Sequence, residues 1–352
     1  DSDPILAKRV FWKVAVNWSN WRELLSENLP ELMGLIEHTG NVLEWLVAEA
    51  NYDEEHIVSL LTRLWFEQSF DKQAFQVLLR MVASSEAAMK LVEQLLPKTE
   101  AHEFNIDNYV IQLFKQNHSE QALKVLLMWL KSGEVKTAFE QQCYGLDKFV
   151  KQYSLELAQA LLPWAVKVIE QPENQVNSFH LFRYTLRQGF DWKGQSENGN
   201  LLGVLCHALT TAAIQHPPEL LKLVRPFMAV HIDDVQVIVA TALAANADYF
   251  AKDVHDFLLE HEFRMQLGQG YFTSADKVGY CFSGSCTIQL IEDVVAFWTT
   301  EQVVNIRNAI EKFQAYRSRQ DEPADTRHRR IRYSEEYRLT LLARLPAEFL
   351  SP

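Results

Sequence analysis

Apolar residues recur along this chain at spacings of three and four, the period of an α-helix that turns one face to a core. Behind Asp53 they fall at Ile57, Leu60, Leu61 and Leu64, and behind Ser119 at Ala122, Leu126 and Trp129. Behind Ser154 the stripe runs through Leu155, Ala158, Leu162, Ala165 and Ile169. Each leading residue carries a side-chain oxygen able to accept a free amide hydrogen of the first turn. Thr287 leads Ile288, Ile291, Val295 and Trp298, and Thr299 to Gln302 has the form of a capping box ahead of Val303, Ile306, Ile310 and Phe313. The β-branched run 235–239 has the composition of a strand, but Asp233 and Asp234 before it and the alanines after it make it a helix with an acidic first turn. No sheet is expected.

The links between stripes, at 51–53, 131–133, 216–218 and 246–248, are only a few residues long, and such turns join neighbouring helices into antiparallel hairpins. A pair of helices follows about every 30 to 45 residues, the scale on which each pair buries its stripe against the next. The expected fold class is all-α, with antiparallel helical hairpins stacked as a degenerate TPR/HEAT-like solenoid. The repeats are degenerate because neither the tetratricopeptide Trp, Leu-Gly and Tyr pattern nor the ankyrin Thr-Pro-Leu-His occurs. A polar stretch with three glycines, 187–200, interrupts the period. It divides the chain into an N-terminal helical-repeat half, 1–190, and a C-terminal half, 191–352. The second half holds an irregular loop, 267–286, and a basic loop, 317–332.

Composition narrows the function classes. Only 12 glycines and 11 prolines punctuate 352 residues, which suits long helices over many strands. With 48% apolar residues the chain has enough core to fold. A net charge of −12 opposes binding along a nucleic-acid backbone, which needs a positive surface, so nucleic acid is not an expected partner. No run of about 18 apolar residues is present and the first residues lack the pattern of a secretory signal, so no membrane association is expected. Cys143, Cys206, Cys281 and Cys286 read as reduced thiols, which places the chain in the cytoplasm. The chain opens at Asp1, enters a helical pattern at once and stops at Ser351-Pro352, as a piece excised from a longer protein would.

Candidate chemistry is thin. No glycine-rich loop ends in Gly-Lys-Ser or Gly-Lys-Thr, and the glycines at 268, 270, 279 and 284 open no dinucleotide-binding unit. Cys281 and Cys286 have four residues between them and no second tight pair, a poor zinc spacing even with His255 or His261 in reach, so they read as structural thiols. Segment 282–286 lacks the Gly-x-Ser-x-Gly elbow. The reading is a protein that is not an enzyme, with no catalytic residue, no cofactor and no metal.

Charge and aromatic placement say more. Between Arg317 and Arg344 stand eight arginines and five acids, densest at Arg327, Arg329, Arg330 and Arg332, a candidate contact for an acidic partner. Residues 231–262 carry seven acids and one lysine. Trp192 lies in the polar break, off any stripe, and is the candidate exposed anchor for a protein partner.

Three stretches of the second half, Thr241 to Ala251, His255 to Leu259 and Arg264 to Gly268, followed by a closing segment Tyr337 to Pro346 and Glu348 to Ser351, resemble the helical region of large bacterial antiviral STAND-class ATPases. The resemblance covers roughly residues 200–352 and rests on a diffuse helical pattern without a catalytic motif. It implies a TPR-like or HEAT-like superhelix downstream of an ATPase module absent from this chain. It further implies a sensor or scaffold role, with a viral structural or packaging protein and the remainder of a larger ATPase polypeptide as partners. An architectural spacer or self-assembly scaffold with no ligand of its own is the other reading of the same pattern.

Overall fold

The computed structural model describes residues 53–68, 71–96, 106–131, 145–170, 201–268, 270–274, 277–281, 286–314 and 324–350. The chain forms two compact units, Asp1–Val135 and Lys136–Pro352. The class is all-α, as the apolar period dictates. One two-stranded hairpin is the exception among the described residues.

The described part of the first unit holds α1 (Glu54–Gln68), α2 (Asp71–Met81), α3 (Glu86–Leu95), α4 (Ile106–Lys115) and α5 (Ser119–Lys131). Asp53 starts α1 by accepting the His56 amide at 3.0 Å, and Ser85 starts α3 by accepting that of Ala88 at 3.2 Å. The apolar stripes close the core through Ile57 and Leu61 of α1, Phe75 and Leu78 of α2, and Leu91 and Leu95 of α3. Each helix meets its neighbours in a regular way: α1 packs on α2 and α3, α2 on α3 and α4, and α5 on α3 and α4. Polar contacts from two side chains, one part-buried and one buried, fix the α2–α3 turn. Glu54 accepts the amides of Ser84 and Ser85, at 3.0 and 2.7 Å, and the fully buried Tyr109 hydroxyl donates to the Ala83 carbonyl. Burial pushes the Tyr109 phenol well above its ordinary pKa, so it remains a donor.

Two of the described helices of this unit end in the left-handed region. Asn117 (φ 64) closes α4, with the His118 amide reaching back to the Leu113 carbonyl at 2.9 Å. Val82 (φ 53) closes α2 in the same manner, through Ala83 and Leu78 at 3.3 Å. Asparagine tolerates that conformation, whereas a β-branched valine is strained in it.

The described part of the second unit begins with a single helical turn, Leu146–Phe149, and then holds α6 (Ser154–Ile169), α7 (Leu201–Gln215), α8 (Pro217–Met228), α9 (Asp233–Ala244) and α10 (Ala247–Glu260). A turn at Glu262–Gln266 leads to β1 (Gly270–Ser274) and β2 (Lys277–Cys281). The unit closes with α11 (Cys286–Val294), α12 (Thr300–Lys312) and α13 (Ala324–Leu342). Run 235–239 is helical, as its acidic first turn requires. The expectation of no sheet is corrected by the hairpin, in which Tyr271 pairs with Tyr280 and Thr273 with Val278. It is built from two short runs of residues that favour strands, inside the stretch read as an irregular loop, and so falls outside a search for helical period.

Ser154 does not cap α6. It is the helix's first residue, and its hydroxyl donates at 2.9 Å to Gln215 of α7, whose amide group donates to the Lys151 carbonyl at 3.1 Å. Thus α6 and α7, which flank the polar break at 187–200, pack directly on one another within the second unit, while the break itself lies outside the described residues. Onward, α9 packs on α7, α8, α10 and α11, α10 on α11 and α12, and α13 on α11 and α12. The Thr299–Gln302 capping box ahead of α12 is formed in both directions.

The centre of this unit is Arg264, whose side chain is wholly buried. Its guanidinium donates to the carbonyl of Phe257 at 2.6 Å, to that of Met228, and to the Glu260 carboxylate at 2.8 Å. These carbonyls belong to the last turns of α10 and α8, where backbone acceptors have no partner within the helix and a cation is favoured. The guanidinium also lies 4.1 Å from the centre of the Phe257 ring. Around it, Thr287 accepts the Leu267 amide at 2.9 Å and donates to the Arg264 carbonyl at 2.6 Å, and Tyr337 of α13 donates to the Met265 carbonyl at 2.8 Å. Gly268, at φ +67, completes the bend; a Cβ there would stand 3.1 Å from that of Cys286.

Two stability measurements follow. In urea unfolding, Arg264→Ala is expected to destabilise the second unit by about 3 kcal/mol or more, because buried carbonyls lose their donor. Glu260→Gln, at a carboxylate 57% exposed, is expected to cost about 0.5 kcal/mol or less; equal costs would show that the ion pair, and not the carbonyls, is what matters. Val82→Gly is expected to stabilise the first unit by about 1 kcal/mol, and a loss of stability would remove the argument for strain at that turn.

Candidate interaction surfaces

Arg327, Arg329, Arg330 and Arg332 do not lie in a loop. They fall within α13, which begins at Ala324 directly after a proline in the sequence. Asp325 sits in its first turn and Arg332 pairs with Glu336 one turn on, at 2.8 Å, both of which favour a helix. Of the expected loop 317–332, residues 317–323 lie outside the described residues. Trp192 does as well.

Helix α13 has two characters. Its C-terminal half is fastened to the body: Tyr337 and Leu341 are buried four residues apart, with Leu345 just beyond, and Arg344 meets Glu292 of α11 at 2.7 Å. The N-terminal half is open to solvent at Arg329, Ile331 and Arg332, with Arg327 partly covered. Arg329 and Arg332, three apart, share one helix face. The arrangement therefore holds cations outward on a helix anchored at its other end, a suitable geometry for meeting carboxylates of another protein.

The acidic stretch 231–262 divides by role. Asp233 and Asp234 stand in the first turn of α9 and Asp248 in that of α10, where the helix dipole favours negative charge. Partial burial raises the pKa of Asp253, against the opposing charge of Arg225. His255 is buried; its Nδ1 lies 2.9 Å from Asp256 Oδ1 and its ring meets Trp298 edge-on, while its Nε2 bonds to no described residue. His261 stands beside His231, ring centres 4.4 Å apart, with Phe263 against both. These histidines sit at the turn that carries Arg264, a grouping that their separation in sequence conceals.

Cys206 and Cys286 are buried, and burial pushes both thiols far above their ordinary pKa, so neither is a ready nucleophile or ligand. Cys281 lies in β2. Among the described residues no group of three His, Cys, Asp or Glu side chains could hold a metal ion, and no helix is long and apolar enough to cross a membrane. No family model, no curated protein and no solved structure matches this chain.

The division of α13 has a thermal consequence. Arg329→Glu with Arg332→Glu is expected to change stability by less than about 1 kcal/mol, whereas Tyr337→Phe, which strands the Met265 carbonyl, should cost about 1 to 2 kcal/mol. Melting curves followed by circular dichroism test this. A large loss in the double arginine variant would make those side chains part of the packing.

Proposed function

We propose that this chain is a non-catalytic protein-recognition module, a sensor or scaffold segment of a bacterial antiphage STAND-class ATPase acting in the cytoplasm on a viral structural or packaging protein. The observation that carries the recognition reading is α13, which presents Arg329 and Arg332 to solvent from an anchored helix in a chain of net charge −12. A concentrated positive patch in an acidic protein selects an acidic partner surface and steers its approach. The repeat architecture that this reading needs, a TPR-like or HEAT-like solenoid, is supported by the packing of helices on their next and next-but-one neighbours in each unit. The assignment to the antiphage class rests on the sequence resemblance over 200–352.

The test is retention of individually expressed viral structural and packaging proteins on the immobilised full chain, at low and moderate salt. Retention of one protein, weakened about tenfold or more by Arg329→Glu with Arg332→Glu and by added salt, is the expected result. Retention of none, with the chain folded, overturns it.

A second reading, an architectural spacer, is favoured by the buried polar joint at Arg264, which fastens α8, α10 and the turn leading to the hairpin. On that reading arginine reversals on α13 are silent in the parent protein, and only packing substitutions such as Arg264→Ala alter its response.

A further inference from the structure

Helix α13 carries a line of side chains that the fold leaves in water. Asp325, Arg329, Arg332, Glu336 and Leu339 are all exposed, Leu339 by 60%. The line continues to exposed Ala343, whose amide still donates to the Leu339 carbonyl at 2.9 Å. Spacings of four and three alternate through these six positions, the seven-residue rhythm that sets side chains along one stripe of a helix. At the centre of the stripe Arg332 and Glu336 meet at 2.8 Å. Tyr337 and Leu341, which fasten α13 to the body, lie on the opposite side of the helix.

The order of residues along the stripe selects its occupant. It runs acid, base, base, acid, apolar, small, and turned end for end about position 334 it meets its own complement. Arg332 then stands opposite Glu336 of the second copy and Glu336 opposite Arg332, while the aliphatic stem of Arg329 lies against Leu339 and Asp325 reaches Ala343. A parallel pair would instead set Arg332 against Arg332 and Glu336 against Glu336, which like charge opposes. We infer that this face binds a second copy of the chain, α13 lying antiparallel on α13 about a two-fold axis.

Each carboxylate of Glu336 is shared in that pair between the arginine of its own helix and that of the other copy, so two arginines and two glutamates form one cluster of four charges. A helix of 19 residues is about 28 Å long, and one such seam buries less than a standard stable interface. The association is therefore weak, reversible and dependent on concentration. It covers Arg329 and Arg332, so a second copy competes with any acidic partner for the same face.

Sedimentation velocity of the full chain, over concentrations of about 2 to 200 μM at low and moderate salt, tests the pair. A monomer–dimer equilibrium that salt weakens is the expected result. Arg332→Glu and Glu336→Arg are each expected to weaken it about tenfold or more, because either change sets like charges opposite one another twice. An equimolar mixture of the two variants is expected to associate at least as well as the unaltered chain, since every arginine–glutamate layer is formed again between unlike copies. Arg332 is 82% exposed and Glu336 49%, and an unchanged circular dichroism spectrum of each variant separates loss of association from loss of folding. A monomer at every concentration, indifference to either reversal, or failure of the mixture to associate overturns the inference.

The pair and the recognition reading fail separately. A chain that captures a viral protein through Arg329 and Arg332 yet stays monomeric removes the pair alone. A chain that dimerises through this seam and captures no viral protein removes recognition alone.

Discussion

A helix that ends inside a protein leaves carbonyl oxygens with nothing to accept, and the second unit depends on how that need is met. Arg264 meets it at two helix ends at once, reaching Phe257 in α10 and Met228 in α8. Gln236 does related work next to it, donating to the carbonyls of Phe227 and Val230 at 2.9 and 2.5 Å. An unpaired buried carbonyl costs more than a typical net hydrogen bond supplies, so the geometry of these chain ends is over-determined. The three helices α8, α9 and α10 can then approach only in the arrangement in which all of these donors find their acceptors.

The two units solve the same problem with different means. In the first, Glu54 and Tyr109 hold the α2–α3 turn from opposite sides, one accepting amides and one donating to a carbonyl. The apolar faces supply most of the attraction, and the polar groups decide which turn geometry is allowed. On the recognition proposal the contacting side chains are Arg329 and Arg332, which face water. A surface of that kind can change its charge without disturbing the stack beneath it, which is the division of labour expected of a recognition scaffold.

Much of the helical architecture was legible because apolar period and start signals are local. The Thr299–Gln302 box and the acidic first turn of α9 lie within a few residues of the helices they start. What was not legible depends on distance in sequence. Thr287 reads as a helix leader, but its hydroxyl bridges Leu267 and Arg264, some twenty residues away. Nothing near Arg264 in the sequence announces that Met228 will supply a buried acceptor. The arginine cluster reads as a loop because the exposed half of α13 has no apolar stripe, and its buried positions begin only at Tyr337.

The β-hairpin between α10 and α11 is held at its feet. The Cys286 amide donates to the Leu267 carbonyl at 3.0 Å, and Thr287 accepts the Leu267 amide, so the chain leaves and re-enters the helical body at one fixed gate. Residues can be added to the loop or exchanged within it while the distance between its ends stays the same, and closing a longer loop costs only slowly rising entropy. The helical body thus carries a ready place for sequence to be rewritten, in which a new projection is attached without the stack having to be rebuilt.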